Sequence, residues 1–298
     1  MRQDKAIKFL RHAQSFADLF SKDRSTKVGA YFVHASDFSK LAEGYNGFPR
    51  GCNDDLEVRH QRPQKYDYTE HAERNAIFNA VRPYLKGAIV VTTEVLTMSS
   101  ARALISVGAA RVYSMAPSSI PGTDPRVAAL LDEVGVQHAY HNGKEVLAQD
   151  ATGKIAKYLQ DAQMFVEHHA KDPFACGTLF LSGDGDYSIL TSGYSGMPRG
   201  ADDSQEHRYR GDERTYWVED SMRNAIYNRA RPLLRDSVAI VTHEPCSECF
   251  RALAAVGCRE VIAPPPPADF AERWKEHIAR ARAMAVELNI KVVNLNPE

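Results

Sequence analysis

Apolar residues recur at helical spacing from the start of the chain. Ala6, Phe9, Leu10, Ala13, Phe16, Ala17 and Phe20 share one face of a 3.6-residue period, which predicts an amphipathic helix. Strands are predicted at Gly29–His34 and Lys40–Tyr45, then a polar loop to about residue 67. The pattern next predicts a helix over about 69–84 that stops near Arg82-Pro83, and a buried strand at Ala88–Thr92. A helix over about 98–108, a short strand at Arg111–Met115 and a helix at Arg126–Val134 close this series. Residues 154–169 open a second series, with strands at Val238–Thr242 and Glu260–Ala263 and helices at Cys249–Val256 and Ala268–Leu288. Pro264 to Pro267 read as a stiff connector ahead of the last helix. Strands alternating with helices indicate an α/β fold, a three-layer α/β/α sandwich.

The two series are a tandem repeat. Gly44-Tyr45-Asn46-Gly47-Phe48-Pro49-Arg50-Gly51 returns as Gly193-Tyr194-Ser195-Gly196-Met197-Pro198-Arg199-Gly200, and Arg74-Asn75-Ala76-Ile77 returns as Arg223-Asn224-Ala225-Ile226. The offset is 149 in both cases (44 to 193, 74 to 223), and Arg102-Ala103-Leu104 follows it to Arg251-Ala252-Leu253. A period this long means two domain-sized units, 1–148 and 149–298, with a boundary in the polar stretch near 140–155.

Composition narrows the class. With 44% apolar and 25% charged residues and a formal net charge of −1, the chain reads as a soluble globular protein. That charge offers no case for a membrane or nucleic-acid partner. The N-terminus lacks the apolar core of a signal peptide, and five cysteines are too few and too uneven for a disulfide framework. The expectation is a cytoplasmic protein with free thiols or metal-ligating ones; a homo-oligomer is compatible with these features.

Two motifs carry chemistry. His71-Ala72-Glu73 opens a predicted helix, and Pro245-Cys246-Ser247-Glu248-Cys249 opens another. His-x-Glu with Pro-Cys-x-x-Cys is the zinc deaminase signature. One imidazole and two thiolates hold zinc and leave a fourth position for water, whose pKa the metal lowers, while the Glu shuttles the proton. The i, i+3 spacing places both sulfurs on one face of a turn.

The chain resembles the deoxycytidylate (dCMP) deaminase family of the cytidine deaminase superfamily. Asp23-Arg24-Ser25-Thr26-Lys27-Val28-Gly29-Ala30, the Gly44–Gly51 motif, Tyr68–Ile77 and Glu244–Cys249 carry the likeness. The resemblance implies zinc as cofactor, a nucleotide substrate, His71, Cys246 and Cys249 as ligands and Glu73 as proton shuttle. Asn46 would contact the sugar, and Arg24, Lys27 and Arg50 the phosphate.

The departures are as informative. At an offset of 149, His71 and Glu73 fall on Asp220 and Met222, and Pro245, Cys246 and Cys249 fall on Leu96, Thr97 and Ser100. Neither repeat holds a complete set. One reading is a composite site built by exchanging elements between repeats or protomers, with crossings near Tyr84–Gly87 and Leu233–Ser237. A second is a catalytically inactive nucleotide sensor or assembly partner, with His71 and Glu73 as helix caps and the cysteines as buried thiols. A third is a structural zinc in the second repeat, using Asp220 or His243. Cys52, Cys176 and Cys258 read as loop or core thiols, His168 and His169 as surface, Gly183-Asp184-Gly185-Asp186 as a hairpin turn, and Tyr66, Tyr68, Tyr216 and Trp217 as packing.

Overall fold

The computed structural model describes residues 3–34, 36–48, 50, 52–92, 95–115, 124–141, 153–182, 186–241 and 243–294. The predicted boundary at 142–152, the turn residues Gly183–Gly185, and Pro49, Gly51 and Thr242 lie outside these. The first half comprises α1 (Gln3–Phe20), β1 (Gly29–His34), β2 (Lys40–Tyr45), α2 (Gln64–Tyr68), α3 (Ala72–Leu85), β3 (Ile89–Thr92), α4 (Met98–Val107), β4 (Arg111–Met115), α5 (Arg126–Glu133) and β5 (Gln137–His141). The second comprises α6 (Gly153–His169), β6 (Gly177–Leu181), β7 (Ile189–Tyr194), α7 (Gly211–Trp217), α8 (Ser221–Leu234), β8 (Ser237–Val241), α9 (Ser247–Val256), β9 (Glu260–Ala263), α10 (Ala268–Arg273), α11 (Lys275–Glu287) and β10 (Lys291–Asn294).

These strands form two five-stranded sheets, in the orders β10-β9-β8-β1-β2 and β5-β4-β3-β6-β7. Each sheet therefore draws on both halves of the chain. The joints are antiparallel: β1 pairs with β8 from Ala30↔Val241 to His34↔Ser237, and β3 pairs with β6 from Ile89↔Leu181 to Thr92↔Thr178. Followed along the chain, the second sheet is one contiguous stretch, 89–194, and the first is split into 29–45 and 237–294. The chain passes between sheets just after α3 and just after α8, where Gly87 N donates to Gly108 O (2.7 Å) and Asp236 N to Gly257 O (2.8 Å).

Alternation within the strands sorts the layers. Ala30 and Phe32 of β1 face the main core, whereas Tyr31 and Val33 face α1. Helix α6 covers the outer face of the second sheet over Val91, Leu179 and Leu181. The inner faces of both sheets share one core with α3, α4, α8 and α9. At its centre the rings of Phe78 and Tyr227 lie parallel, 6.4 Å apart, and join α3 to α8.

The glycine of the repeated motif explains how α3 reaches the first sheet. A Cβ on Gly44 would lie 2.4 Å from Ala76 N and 2.6 Å from Ala72 O, so strand and helix backbones touch where no side chain fits. Gly193 meets Ala225 N (2.3 Å) and Ser221 O (2.6 Å) in the same way.

Three local expectations differ from the structure. Helix α3 continues past Pro83 to Leu85, because Pro83 forgoes one bond while Lys86 N still closes the last turn on Arg82 O (2.9 Å). The single helix expected over Ala268–Leu288 breaks at Trp274, whose backbone (φ −112°, ψ 20°) leaves the helical range. The short edge strands β5 and β10 escaped the pattern, since their polar, half-exposed residues carry little alternation.

Candidate metal centre

The pairing of β1 with β8 brings two helix N-termini together. Helix α3 packs on β2 and β1 and begins at His71, its extended N-cap (φ −74°, ψ 148°). Helix α9 follows β8 and begins at Cys246, likewise an extended N-cap (φ −87°, ψ 176°), with Cys249 one turn further. His71 Nδ1 lies 3.9 Å from Cys246 Sγ and 3.5 Å from Cys249 Sγ, and the two sulfurs are 3.5 Å apart. Among the described residues these three form the group able to hold a metal. The donor set fits zinc: tetrahedral bonds of about 2.3 Å to sulfur and 2.0–2.1 Å to nitrogen put neighbouring ligand atoms roughly 3.4–3.8 Å apart. Neither Asp220 nor His243 joins this group.

The electrostatics favour a thiolate at Cys246. The Cys246–Cys249 hydrogen bond and the nearby His71 hold the Cys246 thiol well below its ordinary pKa, against the opposing effect of burial. The same hydrogen bond, together with burial, holds the Cys249 proton on more firmly. Burial is the largest single influence on His71 and lowers it, but the charge and hydrogen bond of Cys246, with the Glu248 charge, together outweigh burial and push the imidazole up to about 9. Both helix N-termini add partial positive charge. Glu73 is buried at 3% exposure, and burial raises its pKa, with His71 opposing. A buried carboxyl with a raised pKa is suited to holding a proton as well as giving it back.

A cavity of about 740 Å³ opens over the triad, and His71, Glu73, Cys246 and Cys249 line it. Its wall on the α10–α11 side carries Phe270, Trp274, His277 and Ile278. Arg62, Lys65 and Tyr66 also line the cavity. The break at Trp274 turns the corner that presents the aromatic wall. Its signal in the sequence is a stripe at 270, 274, 277 and 278 on an otherwise charged segment. Lys65 came from a polar loop that offered no pattern; it is buried against Asp23, 2.8 Å away.

The residues expected to touch substrate are placed unevenly. Asn46 lines the cavity, but protein takes up its whole amide. Its oxygen accepts from Val28 N (2.8 Å) and Ser21 Oγ (3.0 Å), and its nitrogen donates to Asp23 Oδ2 (3.0 Å) and Thr26 O (2.9 Å). Arg24, Lys27 and Arg50 are exposed and lie outside the lining. Arg24 pairs with Glu57, Lys27 donates to Asp18 O (2.8 Å), and Arg50 donates to Asn79 Oδ1 (3.0 Å). Arg62 is the lining cation with no carboxylate at ion-pair distance among the described residues; it lies over the Tyr66 ring, 5.8 Å away.

The corresponding place in the second sheet is chemically different. Asp220 caps α8 by accepting from Arg223 N (2.8 Å) and pairs with the Arg223 guanidinium (3.0 Å). Ser100 Oγ donates to Asp220 Oδ2 at 3.4 Å, and Thr97 caps α4. Met222, in the position matching Glu73, is fully buried. Hydroxyls and a thioether here replace thiolates and a carboxylate.

Comparison with known proteins gives a consistent family. A profile described as the cytidine and deoxycytidylate deaminase zinc-binding region matches residues 3–116, a stretch that includes His71 and Glu73 and ends before the cysteine pair. The chain is similar to a probable deoxycytidylate deaminase of Drosophila melanogaster, 34% identical over 132 residues, which is 41% of this chain and 64% of that protein. It is similar to the deoxycytidylate deaminase of Pongo abelii, 33% identical over 39% of this chain and 68% of that protein. The Homo sapiens deoxycytidylate deaminase is 32% identical over 37% and 65%. The chain thus spans about two thirds of the length of these curated relatives. A solved dCMP deaminase from the cyanophage S-TIM5, in complex with dCMP and dUMP, aligns with 49% of this chain and 99% of its own at 17% identity and a TM-score of 0.20, too low to build on. No described helix is long and apolar enough to cross a membrane.

Proposed function

This chain belongs to the deoxycytidylate deaminase family, and from that premise we propose that it converts dCMP and water to dUMP and ammonia in one composite site. The observation that carries the reading is the convergence of His71 from the first half with Cys246 and Cys249 from the second, at 3.5–3.9 Å. The family's metal is zinc, and His71, Cys246 and Cys249 would hold it. Bound there, zinc supplies a Lewis acid that makes water a competent nucleophile near neutral pH.

The chain's own groups supply the rest. Glu73 takes a proton from the attacking water and passes it to ring N3; it then takes the proton of the new C4 hydroxyl and delivers it to the amine as the C4–N bond breaks and the C4 carbonyl forms. The aromatic wall at Phe270 and Trp274 bounds the space a pyrimidine would fill and keeps water from it. Asn46, fully bonded, holds the 21–28 loop in shape beneath the sugar. Arg62, the lining cation without a carboxylate partner among the described residues, meets the 5′-phosphate.

Purified, zinc-loaded protein should release ammonia from dCMP. Absence of release from dCMP, dCTP and deoxycytidine alike would end the proposal. Arg62→Ala should raise KM for dCMP about 10-fold or more, the scale of a lost charge-assisted hydrogen bond, and leave deoxycytidine turnover unchanged. Equal effects on both substrates would remove Arg62 from the phosphate.

A further inference from the structure

A site assembled from two separate stretches of chain needs something to fix their spacing. We propose that Arg74 does so, as the positioning residue that ties the His71 helix to the cysteine helix; this rests on the composite-site reading above. Arg74 is fully buried at 0% exposure. Its Nη2 lies 2.5 Å from Glu70 Oε1, and its Nη1 lies 2.7 Å from Glu248 Oε2. Each carboxylate adjoins one half of the triad. Glu70 Oε1 accepts from the backbone N of His71 (3.0 Å), and Glu248 sits between Cys246 and Cys249 in the first turn of α9. One guanidinium therefore spans the neighbours of all three ligand positions without touching the cavity.

The rest of the cluster supports a positioning role. Arg102 Nε stands 3.4 Å from the other oxygen of Glu70, so Glu70 keeps a second cation and is not the sole reason for Arg74. The Arg74 nitrogens make no well-aligned hydrogen bond, so they hold by close charge contact at both ends. The second unit provides an internal comparison. Arg223 stands at the equivalent place and pairs with Glu219 and Asp220, but its reach across to α4 ends on the hydroxyl of Ser99, the counterpart of Glu248. The carboxylate end of this bridge occurs on the side that has thiols to position.

A metal readout separates positioning from simple structural support. Zinc loss to a chelator and the absorption bands of the cobalt-substituted protein are measured for wild type, Arg74→Met, Arg74→Lys and Arg223→Met. Arg74→Met is expected to shift the cobalt bands and to speed zinc loss roughly 10-fold or more, in line with loss of a group that orients metal ligands. Arg74→Lys keeps the charge but cannot span both carboxylates, and should shift the bands in the same direction if Arg74→Met fails to fold. Arg223→Met, which removes a comparable buried charge paired with Glu219 and Asp220 and not with a carboxylate of the cysteine helix, should leave both readouts close to wild type. Wild-type cobalt bands and zinc loss in Arg74→Lys, or equal zinc loss in Arg74→Met and Arg223→Met, would overturn the proposal. A wild-type chain that takes up no metal would overturn it together with the composite site, and wild-type metal binding without deamination would leave Arg74 in place while removing the proposed reaction.

Discussion

Replacing Glu73 with Gln is expected to leave the metal bound and to lower kcat for dCMP by about 10²–10⁴-fold, the usual contribution of a positioned proton carrier. The substitution is close in shape, so it isolates proton transfer from packing in a pocket where Glu73 is 3% exposed. Glutamine cannot take a proton from water or hand one to the leaving amine. Because burial already holds the Glu73 pKa above the ordinary carboxylate value, the neutral amide should fit without a folding penalty. Metal content by atomic absorption and turnover by ammonia release, measured on one preparation, check both halves. Loss of zinc along with activity would recast Glu73 as a support for the ligands.

Removing a ligand should act differently. His71→Ala and Cys246→Ala are each expected to bring bound zinc from one per chain to near zero and to abolish deamination, although the two residues lie on different halves of the sequence. Three protein ligands leave little margin: with one gone, the remaining two cannot enforce tetrahedral geometry. Asp220→Ala and Ser100→Ala, at the matching places beside the second sheet, should keep full zinc content. Zinc that persists in His71→Ala would show that the cysteines bind metal without the first half and would end the composite reading.

Much of the fold was legible in the pattern of the chain. β1, β2, β4 and β9 occupy the expected residues, because their alternating or continuous apolar runs are bounded by turns or glycines. The 149-residue offset exposed complementary losses in the two halves, which made the distance from His71 to Cys246 the decisive quantity. What stayed hidden were choices that local patterns leave equivalent. Pairing β1 with β8 within one chain satisfies the same alternation as pairing between protomers. The bend at Trp274 depends on tertiary packing, and Arg62 and Lys65 fall in a segment whose sequence, lacking periodicity, reads as a polar loop, although Lys65 stands on the short helix α2. The unused capacity expected of Asn46 disappears only once Ser21, Asp23, Thr26 and Val28 are seen around it.

The nesting of one sheet within the other sets an order of events during synthesis. Strand β1 has its place in the first sheet beside β8, and 191 residues lie between the end of β2 at Tyr45 and the start of β8 at Ser237. At about 5–20 residues per second, the ribosome takes roughly 10–40 s to supply that partner. In that interval the inserted sheet, 89–194, has all its strands and can close, while β1 presents an unpaired edge. Limited proteolysis of ribosome-stalled chains ending near residue 235 should find β3–β7 protected and α1–β2 cleavable; equal protection would mean that the first unit finds another partner while it waits.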